Sequence, residues 1–179
     1  MSSSALPSFP TLMPLLAGCG EKLSKGEARQ VLVSIEHVMR DVETTSLSAT
    51  TPTSLTLEPE GDTWSVMGTC ESDDWSGTLT ALGNADFTAD TVTYDLDLTW
   101  MGIESDGVRL DGQTHWAFEF RQGSESNYEA TWSLVGVLEA TGAVHGTAHL
   151  EYSLEFCCGA PPRVGHSYHG TINEWELPL

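Results

Sequence analysis

The sequence predicts a mainly β fold: an antiparallel meander of about eight strands, forming a strongly curved sheet or incomplete barrel packed with one N-terminal amphipathic α-helix. Three observations lead there. From Leu55 onward apolar and polar residues alternate with period two, the mark of strands with one buried face. Short turn signals separate the alternating runs, too short for the crossovers that parallel strands require. Ahead of them, one stretch carries apolar residues at helical spacing.

That stretch lies between Lys22 and Val42, with Leu23, Ala28, Val31, Leu32, Ile35, Val38, Met39 and Val42 on one stripe. Ser24 and Glu27 form a capping box, so the helix is placed over 24–43, roughly five turns. Thr44-Thr45-Ser46 ends the pattern, and the Ser/Thr-rich passage to Thr53 reads as a linker. The apolar stripe has to be buried, and the sheet that follows is the surface available.

The clearest strand is Val108 to Phe120, where Val108, Leu110, Gly112, Thr114, Trp116, Phe118 and Phe120 alternate with Arg109, Asp111, Gln113, His115, Ala117 and Glu119. Val92 to Trp100, Tyr128 to Leu134 and Val144 to Phe156 repeat the arrangement. Strands are expected near 54–58, 63–70, 74–82, 91–101, 107–121, 128–139, 143–157 and 165–177. Turn signals lie between them, among them Ser72-Asp73-Asp74, Gly83-Asn84, Ser105-Asp106-Gly107 and Thr141-Gly142. Gly68, Gly77, Gly112, Gly136, Gly146 and Gly170 all share the apolar parity of their strands. Glycine in a strand marks a bend or a close approach, so glycines gathered on one face imply a strongly coiled sheet.

Of the seven basic residues, Lys22, Lys25, Arg29 and Arg40 precede position 45, which leaves Arg109, Arg121 and Arg163 against most of the 26 acids. With a net charge of −19, the chain repels phosphate backbones, which argues against nucleic-acid binding. A cationic protein partner or a divalent cation suits that field. No segment approaches the roughly 20 apolar residues of a membrane-spanning helix. A transmembrane β-barrel would hold Asp95, Asp97, Glu119, Glu151 and Glu155 inside a narrow lumen, a prohibitive desolvation cost.

The segment Leu16-Ala17-Gly18-Cys19 follows an uncharged, partly apolar beginning that includes Leu12, Met13 and Leu15. It resembles the lipobox of bacterial lipoproteins, in which the cysteine is acylated and becomes the mature N-terminus. The resemblance covers four residues. It implies a signal-peptide-like leader over 1–18 and an anchor region over 19–23, which leaves the length and patterning of 24–179 to be read as a single β-rich domain with its N-terminal helix. It implies a lipid anchor at Cys19 and a cell-envelope address. Gly20 rather than aspartate after the cysteine points to the outer membrane over the inner one.

With Cys19 assigned to lipid, Cys70, Cys157 and Cys158 remain. Cys70 and Cys158 each share the apolar parity of their strands, so a Cys70–Cys158 disulfide is expected, with Cys157 left free. It would close a loop of roughly ninety residues and contribute about 4–5 kcal/mol.

No nucleophile elbow, phosphate-cradling loop or dinucleotide fingerprint is present, so no catalytic residue and no cofactor are expected. His115, His149 and Glu151 share a polar face and are the weak candidates for a metal, provided their strands are neighbours. A simple meander sets another strand between them, roughly 10 Å of separation. Trp64 after Gly61 resembles the first strand of lipocalins, but the spacing differs and no C-terminal helix follows. The expected function is a non-enzymatic, lipid-anchored envelope protein serving as a binding or structural module. The alternative is a periplasmic carrier whose lipocalin-like sheet faces a small apolar ligand with Trp100, Trp116, Phe118, Trp132 and Tyr152. The two differ in whether the helix or a void occupies the concave face.

Overall fold

The computed structural model describes residues 22–46, 56–60, 63–70, 72–123, 128–158 and 165–178. The leader, Cys19 and most of the linker lie outside them. Helix α1 spans Lys25–Ser46. Nine strands follow among the described residues: β1 Thr56–Glu60, β2 Thr63–Cys70, β3 Ser76–Phe87, β4 Thr91–Ser105, β5 Val108–Gln122, β6 Tyr128–Gly142, β7 Gly146–Cys158, β8 Gly165–Ile172 and β9 Trp175–Glu176. They pair antiparallel in chain order as one sheet that does not close on itself. The expected meander and N-terminal helix are therefore present.

The helix starts where the capping box places it: the Ser24 N–H donates to Glu27 Oε2 at 2.7 Å, and the Glu27 N–H to Ser24 Oγ at 3.4 Å. It runs on to Ser46 rather than stopping near 43. Threonine lowers helix propensity by well under about 1 kcal/mol per residue and does not break a helix whose last turns are held by buried Met39 and Val42.

Several boundaries in the sheet differ from expectation: Thr141-Gly142, expected as a turn, ends β6 in register with Arg109 and Val108, and three further differences have a definable reason. Gly83-Asn84 reads as a turn but lies inside β3, paired with Leu96 and Asp95 of β4. Glycine there admits a close approach of the neighbouring backbone, since a Cβ would overlap the Asp95 carbonyl. The chain reverses instead after Phe87, where the Thr88 N–H donates to the Thr91 carbonyl at 2.9 Å. β4 continues to Ser105 because the register shifts between Trp100 and Ile103. That bulge moves the inward parity from even to odd positions, so Ile103 and Ser105 are buried where simple alternation would expose them. Its Gly102 N–H is satisfied by Asp111 Oδ1 at 2.6 Å. Finally, the expected last strand divides into β8 and β9 around Asn173, which takes a left-handed conformation at φ 55°.

The core occupies the space between helix and concave face. Ala28, Val31, Ile35, Val38 and Met39 are fully buried and share one cluster with Leu79, Leu98, Trp100, Leu110, Trp116, Leu134 and Ile172. Polar ties fasten the helix along its length. Trp175 Nε1 donates to the Leu23 carbonyl at 3.1 Å, and Lys22 bridges Thr147 of β7. In the middle, Ser34 Oγ donates to the Ser105 carbonyl at 3.1 Å. Near the end, Asp41 Oδ2 accepts from Ser72 Oγ at 2.7 Å and from Trp75 Nε1 at 3.1 Å. Glu36 meets Tyr168 of β8 through a side-chain hydrogen bond. One helix thus touches β8 and the β2–β3 connection, positions far apart in strand order, because the sheet curls around it.

Candidate functional site

With the concave face covered by α1, the extended surface that remains is the outer face of the sheet. Strand pairing lines up one residue from each of β2 to β8 across it: Met67, Leu82, Asp97, His115, Val135, Glu151 and Thr171 are successive partners. The period of two aims all of them outward. Met67 (60% exposed), Leu82 (58%) and Val135 (47%) are large apolar side chains left in water along this row. A cleft of about 510 Å³ opens at its centre, lined by Thr80, Leu82, Asp97, Gln113, His115 and Val135.

Around this centre the face is acidic. His115 Nδ1 lies 3.1 Å from Asp97 Oδ1, and its Nε2 lies 3.4 Å from Asp95 Oδ1. Both imidazole nitrogens thus lie beside carboxylates of β4. Among the described residues, the two arginines of β5 are engaged locally. Arg109 Nε sits 3.2 Å from Asp111 Oδ2, and Arg121 Nε pairs with Glu119. Glu129, Glu139, Glu151 and Glu155 add further exposed negative charge.

The sequence candidates for a metal are not brought together. His115 is on β5, and His149 and Glu151 are on β7, with β6 between them. Val135 of β6 stands between His115 and Glu151 in the outward row. The His149 backbone N–H donates to Asn173 Oδ1 at 2.7 Å, which ties this stretch to the β8–β9 turn. The partners His115 does have, Asp95 and Asp97, were not expected from the sequence. Equal parity on two adjacent alternating strands was the available signal, but only the register decides which acid stands opposite.

The rings put forward as ligand-facing belong to the core. Trp100, Trp116, Trp132 and Tyr152 are buried in the same cluster as the helix, and Phe118 packs against it half-buried. Trp100 Nε1 donates to the buried Thr114 Oγ1 at 2.9 Å. The Nε1 groups of Trp116 and Trp132 find no acceptor among the described residues. Tyr94 stacks on Trp116 with ring centres 5.9 Å apart, and Trp132 meets Tyr152 edge-on at 5.4 Å.

Cys70 is a free, buried thiol, and burial pushes its pKa up to about 11. The expected Cys70–Cys158 bridge is therefore not made here, and the Cys158 side chain lies outside the described residues. Their strands, β2 and β7, have four others between them in the sheet. Burial also holds the Glu36 carboxyl above its ordinary range, opposed in part by the hydrogen bond from Tyr168 and the charge of Arg40. The Tyr168 phenol is raised in turn, by burial first and then by the Glu36 charge.

Comparison with protein-family models, with curated proteins and with solved structures finds no match for this chain.

Proposed function

We propose that this chain is a non-enzymatic, lipid-anchored protein of the bacterial cell envelope, acting as a binding or structural module through the outer face of its sheet. The observation that carries the choice of module over carrier is the placement of α1. Its apolar stripe packs into the concave face that an apolar ligand would need. What remains is an acidic, apolar-centred face suited to a cationic protein partner. The lipobox-like residues supply the anchor, at the outer membrane because Gly20 follows the cysteine.

The anchor would set an orientation. Lys22 is joined to Thr147 and lies 2.9 Å from Glu174 through its Nζ. The three residues from Cys19 to Lys22 span at most about 11 Å. Acyl chains on Cys19 would hold the end of the sheet bearing the β6–β7 and β8–β9 turns near the bilayer. More than one chain gives stable attachment.

Expression in a Gram-negative host with an alkyne fatty acid tests the proposal. The wild type should carry the label and fractionate with outer membranes. Cys19→Ser should lose the label and leave the membrane fraction. An unlabelled wild type, or a variant that stays membrane-bound, would overturn it.

A further inference from the structure

A second group of chemistry-bearing side chains lies away from the outer face, where the C-terminal half of α1 meets the β2–β3 and β4–β5 connections. A ring nitrogen of His37, a carboxylate oxygen of Asp41 and one of Asp74 all lie within 4.8 Å of one another. From this convergence we infer a binding site for a first-row divalent transition cation, with His37, Asp41 and Asp74 as its protein ligands. The inference does not depend on lipid anchoring or on the role of the outer face.

The donor set comes from two segments that the fold brings together. His37 and Asp41 are four apart on one helix, so they project from the same side at adjacent turns. Asp74 arrives from the β2–β3 connection, and that connection is fastened to the helix at this point. The Asp74 N–H donates to Ser72 Oγ at 3.1 Å, and Ser72 Oγ donates in turn to Asp41 Oδ2 at 2.7 Å. Trp75 Nε1 adds a second donor to the same oxygen at 3.1 Å. The position of Asp41 is therefore set by groups outside the donor set.

The imidazole is held in the manner of a metal-ligating histidine. His37 Nδ1 lies 3.2 Å from Asp106 Oδ2 and 3.2 Å from Ser105 Oγ. A carboxylate can only accept, so the bond to Asp106 requires Nδ1 to carry the proton. In the neutral ring Nε2 then holds the lone pair, and Nε2 is the proposed ligand atom. An imidazole nitrogen with two carboxylate oxygens suits ions such as zinc, whereas calcium prefers oxygen alone.

The surroundings point the same way. Beside the group opens a cleft of about 650 Å³ whose walls include Ser72, Asp73, Asp74, Glu104 and Asp106. Among the described residues that line it there is no lysine or arginine. Acidic walls of this kind favour a cation over an anion. Donors on a tetrahedral ion with bonds of about 2.0–2.1 Å stand about 3.4 Å apart. Drawing the donors in to that spacing would take side-chain rotations, and Asp74 is the exposed one of the three. Waters complete the coordination from the cleft.

The test uses the full chain, freed of metal by a chelator and titrated with zinc chloride in a calorimeter. One zinc per chain is expected, with affinity at least tenfold weaker in His37→Ala and in Asp74→Asn. Asp74→Asn alters an exposed side chain, and an unchanged far-ultraviolet dichroism spectrum would show that the fold survives. Cobalt(II) gives a second readout: weak visible bands of a nitrogen and oxygen site, without the intense near-ultraviolet thiolate band, and lost in both variants. Absence of stoichiometric zinc binding, zinc affinity unchanged in both variants, or a thiolate band in the cobalt spectrum would each overturn the inference.

Discussion

Two glycines show what single residues contribute to the curvature of the sheet. Gly112 pairs with Trp100 and Gly170 with Tyr152, so each glycine lies beside a large ring on the buried face. At Gly170 the backbone has φ +114°, and a Cβ would overlap the carbonyl of Glu151 on the neighbouring strand. Backbone rather than a movable side chain is in the way, so relief requires β7 and β8 to separate. Gly170→Ala should destabilise the protein by about 2 kcal/mol or more, lowering the melting temperature by roughly 4–8 °C. A melting temperature within a degree of wild type in scanning calorimetry would contradict this. Glycines on the apolar parity were legible in the sequence, and so was their consequence, a bent sheet. Which ring each one faces was not, because pairing across strands depends on the bulges at Gly77 and Gly102.

At the scale of the helix, burial and exposure alternate sharply. Ile35 is fully buried, while Val33 is 49% exposed. Ile35→Ala should cost about 2–5 kcal/mol, because it removes apolar contact and leaves a cavity against the sheet. Val33→Ala should stay within about 0.5 kcal/mol of wild type. Urea denaturation of both variants checks the contrast, and equal effects would mean that α1 is not seated as described. The polar side of the same helix adds a pH dependence. Burial favours protonated Glu36, so its folded pKa lies above the unfolded one. Its contribution is complete in acid below the unfolded value and is lost as pH rises through the raised folded value. Glu36→Gln should therefore flatten the pH dependence of stability on the alkaline side of the ordinary carboxylate range. Parallel curves for the two proteins would exclude that contribution.

At the scale of the whole molecule, a net charge of −19 acts against compaction. Several of the cations present are already paired: Lys22 with Glu174, Arg109 with Asp111 and Arg121 with Glu119. Screening the remaining repulsion should stabilise the fold. The melting temperature should rise by a few degrees between about 10 and 150 mM sodium chloride, as the screening length falls from about 30 to 8 Å. A melting temperature that falls with salt would show that attractive pairs outweigh the repulsion. The same charge distribution leaves the outer face acidic around Leu82 and Val135, the pattern on which the proposed cationic partner rests.

What was readable in the chain alone is whatever repeats over short distances. A period of two from Leu55 onward determined the antiparallel strands, and a period of 3.6 with the Ser24–Glu27 box determined the helix and its start. These signals come from backbone geometry and need no knowledge of neighbours. Tertiary structure decided everything that depends on residues distant in sequence. It placed α1 in the concave face, set Asp95 and Asp97 around His115, kept β6 between His115 and Glu151, and brought Asp74 to His37 and Asp41. The physical reason is that register and curvature accumulate over many strands, and a single bulge reverses the facing of every residue beyond it.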